Sequence, residues 1–198
     1  MRMTWTRLLF IFLIGYGAFH FLTQREIEHG PGVLVAEEPY QGSAGSAAEQ
    51  TISGFQVTPL ASFSIRARVL ASRGYYFGRE ADLSPVDLAL GWGRMSDEDV
   101  LKDISISQSS RFYYWRVNSF PIPREEIQSH SANMHMIPAD AKVKKTLQNI
   151  RVGDVVRLHG YLVEAKTADG WRWKSSLTRE DTGGGACELV LVQSVEVL

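Results

Sequence analysis

His130 and His135, with Asn133 between them and Asp140 just beyond, form a compact group able to move a proton in a chain of 198 residues. An imidazole's ordinary pKa of about 6.5 suits a general base near neutral pH. A serine, or Cys187, brought beside either ring would complete a nucleophilic set, with Asn133 or Asp140 orienting the base. The chain lacks G-x-S-x-G, however, and no serine stands at an obvious strand-to-helix elbow. Ser175, Ser176 and Thr178 read as hydrogen-bonding residues at a hairpin end. No catalytic residue is assigned on sequence alone.

Metal chemistry fares no better. A five-residue spacing puts His130 and His135 on opposite faces of a strand, and helical ligand pairs are spaced by four. A zinc site needs three or four ligands, so neither a metal nor a cofactor is expected. Gly183-Gly184-Gly185 is followed by no Lys-Ser or Lys-Thr pair and by strand-like sequence, which argues against a phosphate loop. What remains is recognition. Trp92 is held between Gly91 and Gly93, and Arg111 and Trp115 lie in an aromatic stretch. Trp92, Arg111, Trp115, His130, Asn133 and His135 are the candidate binding surface.

These residues need a scaffold, and the periodicities describe one. Ser62 to Leu70 alternates in period two, as does Val155 to Glu164; Asp169-Gly170 is a turn signal before a return strand carrying Trp171 and Trp173, and Cys187 to Val197 closes the chain. Ile104 to Val117 reads as one long strand with apolar residues on both faces. Ser84-Pro85 and Ser96 read as helix starts, which makes Asp87, Asp97 and Asp99 helix-start residues. A helix with Val143, Leu147 and Ile150 on one stripe precedes Gly153. The expected fold is α+β: an N-terminal transmembrane helix, then a β-rich domain forming a small curled barrel of OB or SH3-like type with an inserted helical region.

The membrane reading rests on Leu8 to Leu22, an apolar run behind Arg2 and Arg7. Counted from Trp5 to Thr23 it is long enough for a short span. It ends in large aromatic residues, unlike a cleaved signal peptide. Positive charge in front predicts a cytoplasmic N-terminus and a periplasmic domain at a bacterial inner membrane. The organisation expected is an anchor at 1–23, a flexible tether at 24–53, in which Gly32 to Val35 can dock as an extended segment, and a domain at 54–198. All 22 acidic residues but only 19 of the 21 basic ones follow the run, an excess of three acids that opposes nucleic-acid binding. Cys187 is the only cysteine, so no intramolecular disulfide forms.

LSPVDLALGWGRMSD (Leu83 to Asp97), HSANMH (His130 to His135) and WRWKSSLTREDTGGGACEL (Trp171 to Leu189) resemble a group of small membrane-anchored bacterial proteins of uncharacterised activity. The resemblance implies an inner-membrane protein and brings no activity, substrate or cofactor. The function expected is a non-enzymatic, membrane-anchored binding or assembly module of the envelope, with an envelope protein as partner. The alternative is a tethered hydrolase of an envelope polymer using His130 or His135.

Overall fold

Residues 5–23, 25–178 and 187–198 are described by the structure, a computed structural model. Helix α1 (Trp5–Thr23) is followed by two short strands, β1 (Tyr40–Ser43) and β2 (Gln50–Ile52), and by the 20-residue strand β3 (Phe55–Gly74). Helix α2 (Arg79–Leu83) links β3 to β4 (Val86–Gly91). A 3₁₀ turn at Gly93–Ser96 and helix α3 (Glu98–Leu101) lead into strands β5 (Ile104–Ser109) and β6 (Phe112–Val117). Helix α4 (Arg124–Ser129), β7 (Ser131–Pro138), α5 (Ala141–Gln148), β8 (Val155–Lys166), β9 (Arg172–Lys174) and β10 (Glu188–Val197) complete the order.

The result is a β-rich α+β fold on a mixed sheet, five of whose strands close on themselves. β3 pairs with β4, β4 with β7, β7 with β10, β10 with β8, and β8 returns to β3. β7 and β10 are parallel; the other four pairs are antiparallel. One strand can serve both neighbours because β3 shifts register between Pro59 and Ala61 against β8 and between Val69 and Ala71 against β4. Such irregularities bend and twist a strand. Gly160 marks a tight point of closure, since a Cβ there would stand 1.9 Å from the Leu191 carbonyl oxygen.

Alternation sends Phe63, Ile65, Leu88, Met134, Leu158 and Val190 into the ring. Helix α5 packs on the same core through Val143 and Leu147, four residues apart on one face. Asp140 starts that helix, its Oδ1 accepting the Val143 N–H at 2.8 Å. The segment before β3 lies against the barrel. Val35 is fully buried, the Ile27 N–H donates to the Val152 carbonyl at 2.9 Å, and Ser96 Oγ accepts the N–H groups of Leu34 and Val35.

The expected transmembrane helix is corrected. Trp5–Thr23 does form a helix, but among the described residues no helix is long and apolar enough to cross a membrane. The run Leu8 to Leu22 has only 15 residues and includes Tyr16, His20 and two glycines. At about 1.5 Å per residue it reaches about 22 Å, short of a hydrocarbon core about 30 Å thick. With it go membrane contact through this helix, the single-pass inner-membrane placement, and the assignment of a cytoplasmic N-terminus and periplasmic domain.

Two local readings are also overturned. Ser84-Pro85 opens a strand, and all six residues of β4 are buried. Pairing on both edges, to β3 and to β7, outweighs the cap signal. The second start is displaced by one residue: Asp97, not Ser96, caps α3, its Oδ1 accepting the Asp99 N–H at 2.9 Å, while Ser96 Oγ donates to the Gly93 carbonyl. Ile104 to Val117 is a hairpin, not one strand: Ser109 pairs with Phe112 around a Ser110-Arg111 turn. The turn resets the alternation, so Ile106 lies opposite Trp115, while Phe112 and Tyr114 are exposed.

Candidate functional site

Register decides which polar residues meet. Between β4 and β7, Asp87 lies opposite His135 and Ala89 opposite Asn133. Their neighbours Leu88, Leu90, Met134 and Met136 fill the barrel, so the first set faces outward. The β5–β6 hairpin covers this outer face. Gln108 Nε2 donates to Asn133 Oδ1 at 2.6 Å, Asn133 Nδ2 donates to the Arg111 carbonyl at 3.0 Å, and the Tyr113 hydroxyl lies 3.2 Å from Ser131 Oγ.

Arg111 is the hinge of the arrangement. Ser110 and Arg111 have φ of 51° and 70°, the left-handed pair of a tight hairpin turn usually built from Asn-Gly. A non-glycine residue held there costs about 1–2 kcal/mol. That conformation delivers the Arg111 guanidinium to Asp87, Nη1 donating to Oδ1 at 2.6 Å and to the Ser84 carbonyl at 2.9 Å. The guanidinium also stacks 3.7 Å from the Tyr75 ring centre, and Tyr75 Oη accepts the Arg111 N–H. Burial, then the Asp87 charge, raises the Tyr75 pKa and keeps its phenol protonated. Ser110→Asn, which tolerates the left-handed region better, should stabilise the fold by about 0.5–1 kcal/mol in urea melts. A loss of stability would contradict a strained turn.

His135 completes the cluster from beneath. Its Nδ1 lies 3.0 Å from Asp87 Oδ1 but off the direction of a hydrogen bond, and its ring centre is 4.7 Å from that of Trp173. Asp87 Oδ2 has no hydrogen-bond partner among the described residues. Burial pushes the nearby Tyr113 phenol up to about 12, against the opposing hydrogen bond to Ser131. The unfolded phenol ionises from about pH 10, so from there to about pH 12 the folded state holds more protons and stability falls as pH rises. Across that window wild type should lose about 2–3 kcal/mol more than Tyr113→Phe. Equal losses in paired urea melts would refute this.

Above the cluster opens a cleft of about 520 Å³, lined by Tyr75, Phe77, Gly78, Arg79, Glu80, Ser110, Arg111 and Trp171. It is built from the β3–β4 connection, the hairpin turn and the β8–β9 turn. Arg79 Nη2 donates to Asp169 Oδ2 at 2.7 Å, and Glu80 Oε2 lies 3.9 Å from Arg111 Nε. Phe77 is 94 % exposed at the mouth.

The candidate surface read from the sequence divides. Arg111, Asn133 and His135 come together under the hairpin and beside the cleft. Trp92 and His130 sit at the opposite end of the β4–β7 ladder, joined by Glu38: Trp92 Nε1 donates to Oε2 at 2.8 Å and His130 Nε2 lies 3.2 Å from Oε1. Trp115 is half-buried against Phe120, with ring centres 6.2 Å apart. Asp140 is a helix cap, not a partner of either histidine. Cys187 is half-buried, its Sγ 3.9 Å from Asn133 Nδ2. Among the described residues no group of three or more His, Cys, Asp or Glu is placed to hold a metal. Gly183 to Gly185 lie outside the described residues.

Sequence reasoning missed Asp87 as a site residue and the whole cleft. The available signal was Gly74-Tyr75-Tyr76-Phe77-Gly78, three rings between glycines at a strand end. No family model matches the chain, and no significant match exists among curated proteins or solved structures.

Proposed function

We propose that the chain is a non-enzymatic binding module whose ligand enters the cleft beside Phe77, Glu80 and Trp171. The observation that carries this reading is the cleft itself: aromatic and charged side chains from separate connections converge on a volume within the usual range for ligand sites of about 300–1,000 Å³. A strained Ser110-Arg111 turn on its wall supports it, because such strain is retained where positioning matters. A five-stranded ring in this order has the connectivity of the OB barrels, whose corresponding loops bind polymers, an analogy that supports location alone.

The hydrolase alternative finds less support. His135 is 3 % exposed, its Nδ1 faces Asp87, and His130 is occupied at the other end of the ladder by Glu38 and by Ser129 Oγ at 2.8 Å. A general base needs reach to a substrate proton, and a ring buried beside Asp87 and Trp173 has little. The test is amide NMR of the isotope-labelled full chain against a library of small soluble fragments. Shifts should concentrate at residues 75–80, 110–111 and 171. Shifts clustered elsewhere, or a turnover lost in His135→Ala, would overturn the reading.

A further inference from the structure

We infer that the cleft takes a neutral, hydroxyl-rich ligand, a unit of an oligosaccharide; this rests on reading the cleft as a binding site. Its charges argue first. Arg79 is paired with Asp169 and Arg111 with Asp87, which leaves Glu80 in excess. A phosphate backbone needs uncommitted cations, and these two are spent on carboxylates. A cationic ligand meets two guanidinium groups at the same walls.

The spacing of the remaining polar atoms points to hydroxyls. Glu80 Oε2 and Arg111 Nε are 3.9 Å apart, too far for a hydrogen bond between them. A hydroxyl seated between them donates to the carboxylate and accepts from the guanidinium N–H, satisfying both. A sugar ring presents such hydroxyls at its edge and a C–H surface on its face. Phe77 offers the matching exposed aromatic surface, its electron-rich face attracting polarised C–H groups, and Trp171 lines the same cleft with the Arg79 guanidinium 5.8 Å from its ring centre. Phe77, nearly fully exposed, gains most from being covered.

The experiment titrates the full chain, by calorimetry and tryptophan fluorescence, with maltotriose, cellotriose and tri-N-acetylchitotriose, and in parallel with a thymidine hexanucleotide and a neutral peptide. At least one trisaccharide should saturate in the micromolar to millimolar range, and Glu80→Ala and Trp171→Ala should each weaken it about tenfold or more. Glu80 is half-exposed at its side chain, so that variant keeps the fold. Absence of saturation by every trisaccharide up to about 10 mM, or affinity unmoved by both substitutions, overturns the inference. Saturation by the hexanucleotide or peptide alone, lost in Trp171→Ala, overturns the ligand class and leaves the binding module standing. Fragment shifts that never map to the cleft remove both.

Discussion

Asp87→Ala should lower the unfolding free energy by about 3–5 kcal/mol, the usual cost of removing one partner of a buried ion pair. The Asp87 side chain is 1 % exposed and that of Arg111 13 %, so the guanidinium left behind could not recover its hydration. It would keep the Ser84 carbonyl, the Tyr75 ring and, 3.9 Å from Nε, the half-exposed Glu80 carboxylate, whose hydration leaves it a weak substitute for the buried Asp87. The hairpin turn would then be strained without return, and the cleft wall formed by Arg111 would loosen. Replacing both members, as Asp87→Leu with Arg111→Met, should be less damaging than Asp87→Ala alone, because no charge is stranded. Urea melts of wild type and the two variants with unchanged m-values check this. A loss below about 1 kcal/mol for Asp87→Ala would mean that the pair is hydrated and that Arg111 is positioned by its turn alone.

What the sequence discloses about this site follows the range of the interactions involved. Period-two alternation locates β3 and β8, and the 143/147 stripe locates α5, because those patterns are set by one buried face. Asp169-Gly170 marks a turn by its own chemistry. The β4 strand is misread because Ser84, Pro85 and Asp87 imitate a helix start within four residues, while the reasons for a strand lie in β3 and β7, far away in sequence. The hairpin is hidden for the opposite reason. Ser110-Arg111 is not a turn signal, and its left-handed backbone is tolerated because Arg111 reaches Asp87 and Tyr75. The residues of the site are thus those whose local preferences are overruled, which is where sequence reasoning is expected to fail. The N-terminal run shows the same limit on another scale: composition suggests a span, while the length of its unbroken apolar part does not suffice.

Trp92→Ala should cost about 3–5 kcal/mol, the range for deleting a large buried aromatic side chain. Trp92 is 1 % exposed and belongs to the barrel core, so its removal leaves a cavity bounded by strands that cannot collapse without opening the ring. The flanking glycines make the placement possible. Gly93 has φ of +53°, and a Cβ on Gly91 would lie 2.3 Å from the Met95 carbonyl oxygen. The indole N–H also holds Glu38, and through it His130, so the same residue fastens the segment before β3 to the barrel. Trp92→Phe should retain most of the core volume and lose the Glu38 bond, a loss of about 1–2 kcal/mol. The contrast with Trp171 separates structure from recognition. In whatever fraction remains folded, Trp92→Phe should leave ligand affinity at the cleft unchanged, whereas Trp171→Ala should lower it with a smaller loss of stability. If Trp92→Phe weakens binding while stability is kept, the ligand lies at the Trp92–His130 end of the ladder, and the cleft beside Arg111 is not the site.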